Sequence, residues 1–367
     1  MRSDWSRLCG VRLRRLVRIA RRLAGGRTEG DFVRALSRGA RALKHQQIDL
    51  GLLDRTYKSI RAAARKLDRP GHCFWPGCTH QSIKYSHTIS RAIGLAPIAV
   101  DGRVETPERF LRRVEPHSAA IPKASTFPGY CRKHEQEFSP FEGAGKLSTP
   151  NHYLLQAVRS ADREVWWGDA RASFLAQFNS SHREQIDAVS DPRRRRSLRR
   201  KVLRPIEFIG VSSDMSRAGV RFVRHDLREA LKHPDVLPLF VHAFQDVKGD
   251  PVALSGSIVH WYEDREGTRR PAEFVFSAHP NAGGRLMILA SSRDEVDTLN
   301  SYIASEAFDA AARTRLIRTW MHHTDHWFAN RTWWQSSSER FRKAVLDAGR
   351  PFIVPSPPDK PEHRAGA

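Results

Sequence analysis

Cysteine is scarce here: four stand among 367 residues, too few to brace a chain of this size as a disulfide scaffold. Reduced thiols, and with them a cytoplasmic setting, fit that usage better. Long apolar runs are missing too, since no window holds the roughly 18 residues needed to cross a bilayer. Acidic residues fall short of basic ones, with 40 Asp and Glu against 62 Lys and Arg and a formal net charge of +22. That imbalance constrains partners more than fold. It favours a polyanion, because Lys and Arg contacts to phosphate are the usual source of nucleic-acid affinity, although a GC-rich genome inflates Arg without any such partner. A hydrophobic content of 40% and a charged content of 28% are those of a globular chain rather than a disordered one. The length calls for two or three domains.

Residues 1–69 read as a basic helical region. LCGVRLRRLVRIARRLAGG sets Leu13, Leu16, Val17, Ala20 and Leu23 at helical spacing among arginines, without the uninterrupted apolar core of a secretion signal. A membrane-surface helix or a transit peptide has this look. A basic helix lying on DNA or on the protein's own core has it as well, and is the preferred reading. Pro70-Gly71 then stops the helix that starts near Asp54. From Gly71 to about Gly145 the pattern is irregular, with a β-prone piece around Ile98 to Val104. Helical periodicity returns at Pro150, a residue suited to a first helical position.

DPRRRRSLRRK, residues 191–201, reads as a solvated linker or helix end, or else as a phosphate-contacting patch. It marks the best domain boundary: a finger with its following helices over 70–190, a basic linker over 191–204, an α+β domain over 205–350 and a Pro-rich tail over 351–367. In the C-terminal part LPLFVHAFQ and ALSGSIVHWY read as strands, and PAEFVFSA and RLMILAS as a hairpin around HPNAGG. Helices are expected over SRDEVDTLNSYIAS and from Phe308 to about Phe328. A small antiparallel sheet with helices packed against it follows.

Three of the four cysteines belong to one constellation. GHCFWPGCTH separates Cys73 and Cys78 by four residues, and GYCRKHEQEF supplies Cys131 and His134 as Cys-x-x-His. Two such knuckles fill the four tetrahedral positions that Zn²⁺ prefers, and zinc can organise a segment with too few large apolar residues to hold itself. His72 and His80 crowd the first knuckle and compete for a ligand position. Between the knuckles YSHTIS carries Ser86 and His87. A neutral imidazole can take a proton from water at physiological pH.

This arrangement, over residues 71 to 145, resembles the treble-clef zinc finger of HNH-type (ββα-metal) endonucleases. The resemblance implies an α+β fold with Cys73, Cys78, Cys131 and His134 on structural zinc. It places His87 as the general base, Ser86 and Glu135 where the family holds a catalytic Mg²⁺ or Mn²⁺, and Thr126 near the family's Asn. Ser86, Thr126 and Glu135 depart from the family residues, although a Glu carboxylate suits a hard cation. The implied function is hydrolysis of nucleic-acid phosphodiesters, with DNA favoured as partner, the choice between DNA and RNA left open, and restriction or anti-phage defence as setting. The C-terminal domain would then sense a trigger or a partner. The rival reading is a non-catalytic, zinc-stabilised nucleic-acid-binding or adaptor protein in which SHTIS is merely a buried strand. A second cluster, TWMHHTDHWF, brings His322, His323, Asp325 and His326 close in sequence. Trp320, Trp327, Trp333 and Trp334 around it favour an aromatic core over a metal site.

Overall fold

The computed structural model describes residues 70–107, 116–246, 249–264, 266–281, 284–307, 309–324 and 326–348. The basic region expected over 1–69, the tail over 351–367 and Asp325 lie outside the described residues. Those described fall into two compact units, one of 70–170 with 216–348 and one of 171–215.

In chain order the strands are β1 (Ser86–His87), β2 (Arg103–Pro107), β3 (Pro116–Ala120), β4 (Thr126–Phe127), β5 (Val241–Asp246), β6 (Val252–Glu263), β7 (Arg269–Asn281), β8 (Gly284–Ala290) and β9 (Trp327–Ala329). The helices are α1 (Arg132–Glu135), α2 (Ser139–Ala144), α3 (Pro150–Asp187), α4 (Pro192–Leu198), α5 (Arg204–Ala230), α6 (Val296–Glu306), α7 (Ala310–His323), α8 (Arg331–Ser336) and α9 (Glu339–Ala348). The expected mixed α+β class is what forms. β1 and β4 make a two-stranded antiparallel ribbon, and the other strands make one antiparallel sheet in the order β3-β2-β9-β6-β7-β8-β5.

Side-chain alternation along β7 and β8 sorts the core into two faces. Phe274, Phe276 and Ala278 point one way with Leu254, Met287 and Leu289, and are covered by Leu299 and Tyr302 of α6 and by Leu316, Ile317, Trp320 and Met321 of α7. Trp320 stacks on Phe276 with ring centres 4.4 Å apart and donates its indole N–H to the Tyr302 hydroxyl. Val275, Leu286, Ile288 and Ala290 point the other way, onto Phe127, Tyr130, Phe138, Leu154 and Val158. One sheet therefore serves as a wall for both the cysteine-bearing region and the C-terminal helices. Among the described residues no helix is long and apolar enough to cross a membrane.

Three expectations need correction. The helix expected to run to Phe328 ends at His323, where Thr324 turns extended. The Thr324 hydroxyl donates to the Ser255 carbonyl and accepts the His326 amide, and Trp327–Ala329 then pairs with Val252–Leu254. His322 and His326 thus share no helical face. The supposed linker over 191–204 is helical: Asp191 caps α4 through the Arg193 amide, Pro192 opens it, and a π-helical turn over Arg199–Leu203 leads into α5. Arginine is a good helix former, so the run needs no special support. Finally, the boundary drawn at that linker does not divide the sheet. β2 joins it through Glu105 opposite Ala329, so residues on both sides of 191–204 build one core.

Candidate metal centre and the histidine beside it

The first knuckle is a tight turn. Gly77 holds φ at +71°, a conformation that a side chain would strain. The Cys78 amide donates back to the Trp75 carbonyl, and the Cys73 amide to the His80 carbonyl. The second knuckle opens α1, with Cys131 at its N-cap and the Cys131 amide donating to the Cys73 sulfur at 3.3 Å. The ligand atoms of Cys73, Cys78, Cys131 and His134 all lie within 4.8 Å of one another. Cys78 and Cys131 Sγ are 3.9 Å apart, and His134 Nδ1 is 3.4 Å from both Cys73 and Cys131 Sγ.

For tetrahedral zinc, with Zn–S of about 2.3 Å and Zn–N of about 2.0 Å, the S···S edge is about 3.8 Å and the S···N edge about 3.5 Å. The three edges given above match and the remaining ones lie within 4.8 Å, so this donor set can hold a zinc ion. Its role there would be structural, since four protein ligands leave no open position. His80 reaches only the Cys78 sulfur, at 3.4 Å, and Trp75 stacks on the His134 ring at 5.0 Å.

Buried charges brace the centre from α3 and α5. Asp162, wholly buried, accepts the Tyr130 hydroxyl at 2.7 Å and pairs with Arg224 and Arg228. Both arginines also donate to the Phe74 carbonyl inside the first knuckle. Burial and the Asp162 charge push the Tyr130 phenol well above its usual range. These braces were not foreseen. Their one sequence signal is that Gln156, Arg159, Ser160 and Arg163 occupy one face of α3 at helical spacing, a polar stripe that reads as solvent-facing and is in fact buried.

His87 sits on β1 opposite Thr126 of β4 and is 9% exposed. Burial, then the charges of Arg159 and Arg91, pull its pKa down to about 4, against a hydrogen bond to the Ile121 carbonyl. Nε2 is buried without a partner, so Nδ1 carries the proton given to Ile121 and Nε2 keeps a free lone pair. At neutral pH the ring is uncharged.

The other residues expected around it are differently employed. Ser86, fully buried, accepts the Tyr130 amide at 3.0 Å, which makes its hydroxyl part of the scaffold. The Thr126 hydroxyl donates to the Lys123 carbonyl. Glu135 gives Oε1 to buried Arg159 at 2.5 Å, while its Oε2 is buried without a partner. Arg159 also binds Glu142 at 2.8 Å and lies over the Phe138 ring. The TWMHHTDHWF cluster contributes one unforeseen contact. Ser125, at φ +57°, accepts the Ile89 amide and meets His326 Nε2 at 3.1 Å, tying the β1–β4 ribbon to the strand β9 side of the sheet.

Fold and site together define an α+β protein with a Cys3His group able to bind zinc. No protein-family model, curated protein or solved structure matches the chain.

Proposed function

We propose that the chain is an HNH-like endonuclease that hydrolyses phosphodiester bonds in nucleic acid, with a treble clef formed by the first knuckle, the β1–β4 ribbon and α1. The observation that carries this reading is the uncharged His87, held by Ile121 through Nδ1 with Nε2 unpartnered. A buried polar atom left without a partner costs about 1–3 kcal/mol and invites a functional explanation. Nε2 would take the proton of the attacking water. At a pKa of about 4 the ring is a weak base, and a polyanionic substrate strengthens it by offsetting Arg159 and Arg91. Mg²⁺ or Mn²⁺ would neutralise charge on the leaving 3′-oxygen. Glu135 Oε2 is the donor available to it, and Mg²⁺ commonly needs only one or two carboxylates besides water and substrate phosphate. The Ser86 hydroxyl, which accepts the Tyr130 amide, takes no part in holding that ion.

The rival, a zinc-stabilised nucleic-acid adaptor without catalysis, is favoured by the Ser86 hydroxyl bonded to the Tyr130 amide and by the burial of all of Ser86–Ser90, His87 with its backbone bond to Ile121 included. Cleavage of duplex and single-stranded DNA and of RNA in Mg²⁺ or Mn²⁺ separates the two. His87→Ala is expected to lower cleavage by roughly 10²–10⁴-fold at unchanged zinc content. Equal cleavage by the variant, or none by the wild type on any of these substrates, leaves the adaptor reading standing.

A further inference from the structure

Apart from the metal centre, the described residues present an open cavity of about 720 Å³ lined by Arg183, Asp187, Arg193, Arg196, Arg199 and Arg200, with Ser197 and Leu203. Five arginines face one carboxylate. Asp187 is spent on Arg199, at 2.7 Å. Among the described residues Arg193, Arg196 and Arg200 have no side-chain partner, and all three are exposed. The frame beneath them is built: Ile186, Leu198 and Leu203 bury together as a small apolar floor, and Asp191 caps α4.

From this arrangement we infer that the groove is a sequence-independent seat for the sugar-phosphate backbone of nucleic acid. Arg193 and Arg196 stand at i and i+3 on α4 and so share a face, and Arg200, in the π-helical turn that follows, lines the same groove. They span about 10 Å of helix, a length over which one strand of B-DNA carries about three phosphates. Ser197 adds a hydroxyl of the kind that contacts phosphate oxygens. A small phosphorylated ligand fits the lining poorly, because such pockets are mostly apolar with few polar groups. A membrane surface fits poorly too, because it needs an exposed apolar face to enter the lipid and the apolar residues here are buried. The inference rests on the nucleic-acid reading above and adds where the backbone is gripped.

The test measures binding of the full chain to duplex DNA across about 50–200 mM salt. Replacing Arg193, Arg196 and Arg200 together by Gln should shallow the log–log salt slope by about 2 to 3, at about 0.9 per phosphate released. Replacing all three by Lys should keep the slope, since a point charge suffices. Arg196→Gln alone, expected to remove about 0.9, serves if the triple variant fails to fold. An unchanged slope in a folded Gln variant overturns the groove and leaves the nucleic-acid reading intact. No binding of any nucleic acid by the wild type overturns both. Loss of binding to phosphatidylserine vesicles, with nucleic-acid binding retained, overturns the inference in favour of a membrane.

Discussion

At the scale of single residues the protein hides more titratable groups than its charge suggests. His87 and His279 are both held near a pKa of about 4, and burial is the first cause for each. His279 is fully buried on β7, with neither ring nitrogen partnered. Unfolded histidine protonates near 6.5, so between about 6.5 and 4 the unfolded chain binds more protons than the folded one. Stability therefore rises with pH across that window. The contribution is complete above 6.5 and is lost progressively as the pH falls to 4. For His279 it is on the order of 3 kcal/mol. Chemical denaturation at a series of pH values should show this slope, and His279→Leu should flatten it while changing neutral-pH stability less. A variant that retains the full slope would mean that other groups carry it.

Secondary elements differ in how plainly the sequence announces them. The knuckles are legible because their ligands lie four and two residues apart and each is closed by its own turn. The β6–β7–β8 meander is legible because alternation and long strands coincide. β9 is three residues long and owes its existence to Val252–Leu254, more than seventy positions earlier in the chain, a pairing that local periodicity cannot see. Arg159 and Asp162 were missed for the opposite reason: the periodicity from Pro150 announces the helix they sit on, but only tertiary packing decides that their side of it is buried. The knuckle elements also carry their own prediction. About one zinc per chain is expected. Its removal by a chelator, or Cys78→Ser, should release the β1–β4 ribbon and α1, because zinc binding in small fingers contributes on the order of 10 kcal/mol. Elemental analysis with hydrogen exchange over 71–145 reads this directly. A zinc-free protein with equal protection there would remove the metal centre.

For the whole molecule, the decisive fact is that one sheet receives strands from both sides of the arginine-rich segment. The sequence suggested a finger over 70–190 and an independent α+β domain over 205–350, because composition changes sharply at 191 and nothing local links the two. In the fold, Val275, Leu286, Ile288 and Ala290 of the sheet bury against Phe127, Tyr130 and Phe138 of the cysteine-bearing region, and β2 continues the sheet through β9. Asn281 also exchanges two hydrogen bonds with the Leu147 backbone. Cutting between the halves would expose apolar side chains worth roughly 1.5–3 kcal/mol each, against a typical domain stability of about 5–15 kcal/mol. Neither 70–190 nor 205–350 should then fold alone. Each piece expressed by itself is expected to aggregate or to bind a hydrophobic dye without a cooperative melt, whereas mixing the two should restore one transition. A sharp, independent melt from the 205–350 piece would restore the two-domain division and break the mechanical link from the sheet, through His326 and Ser125, to the ribbon that carries His87.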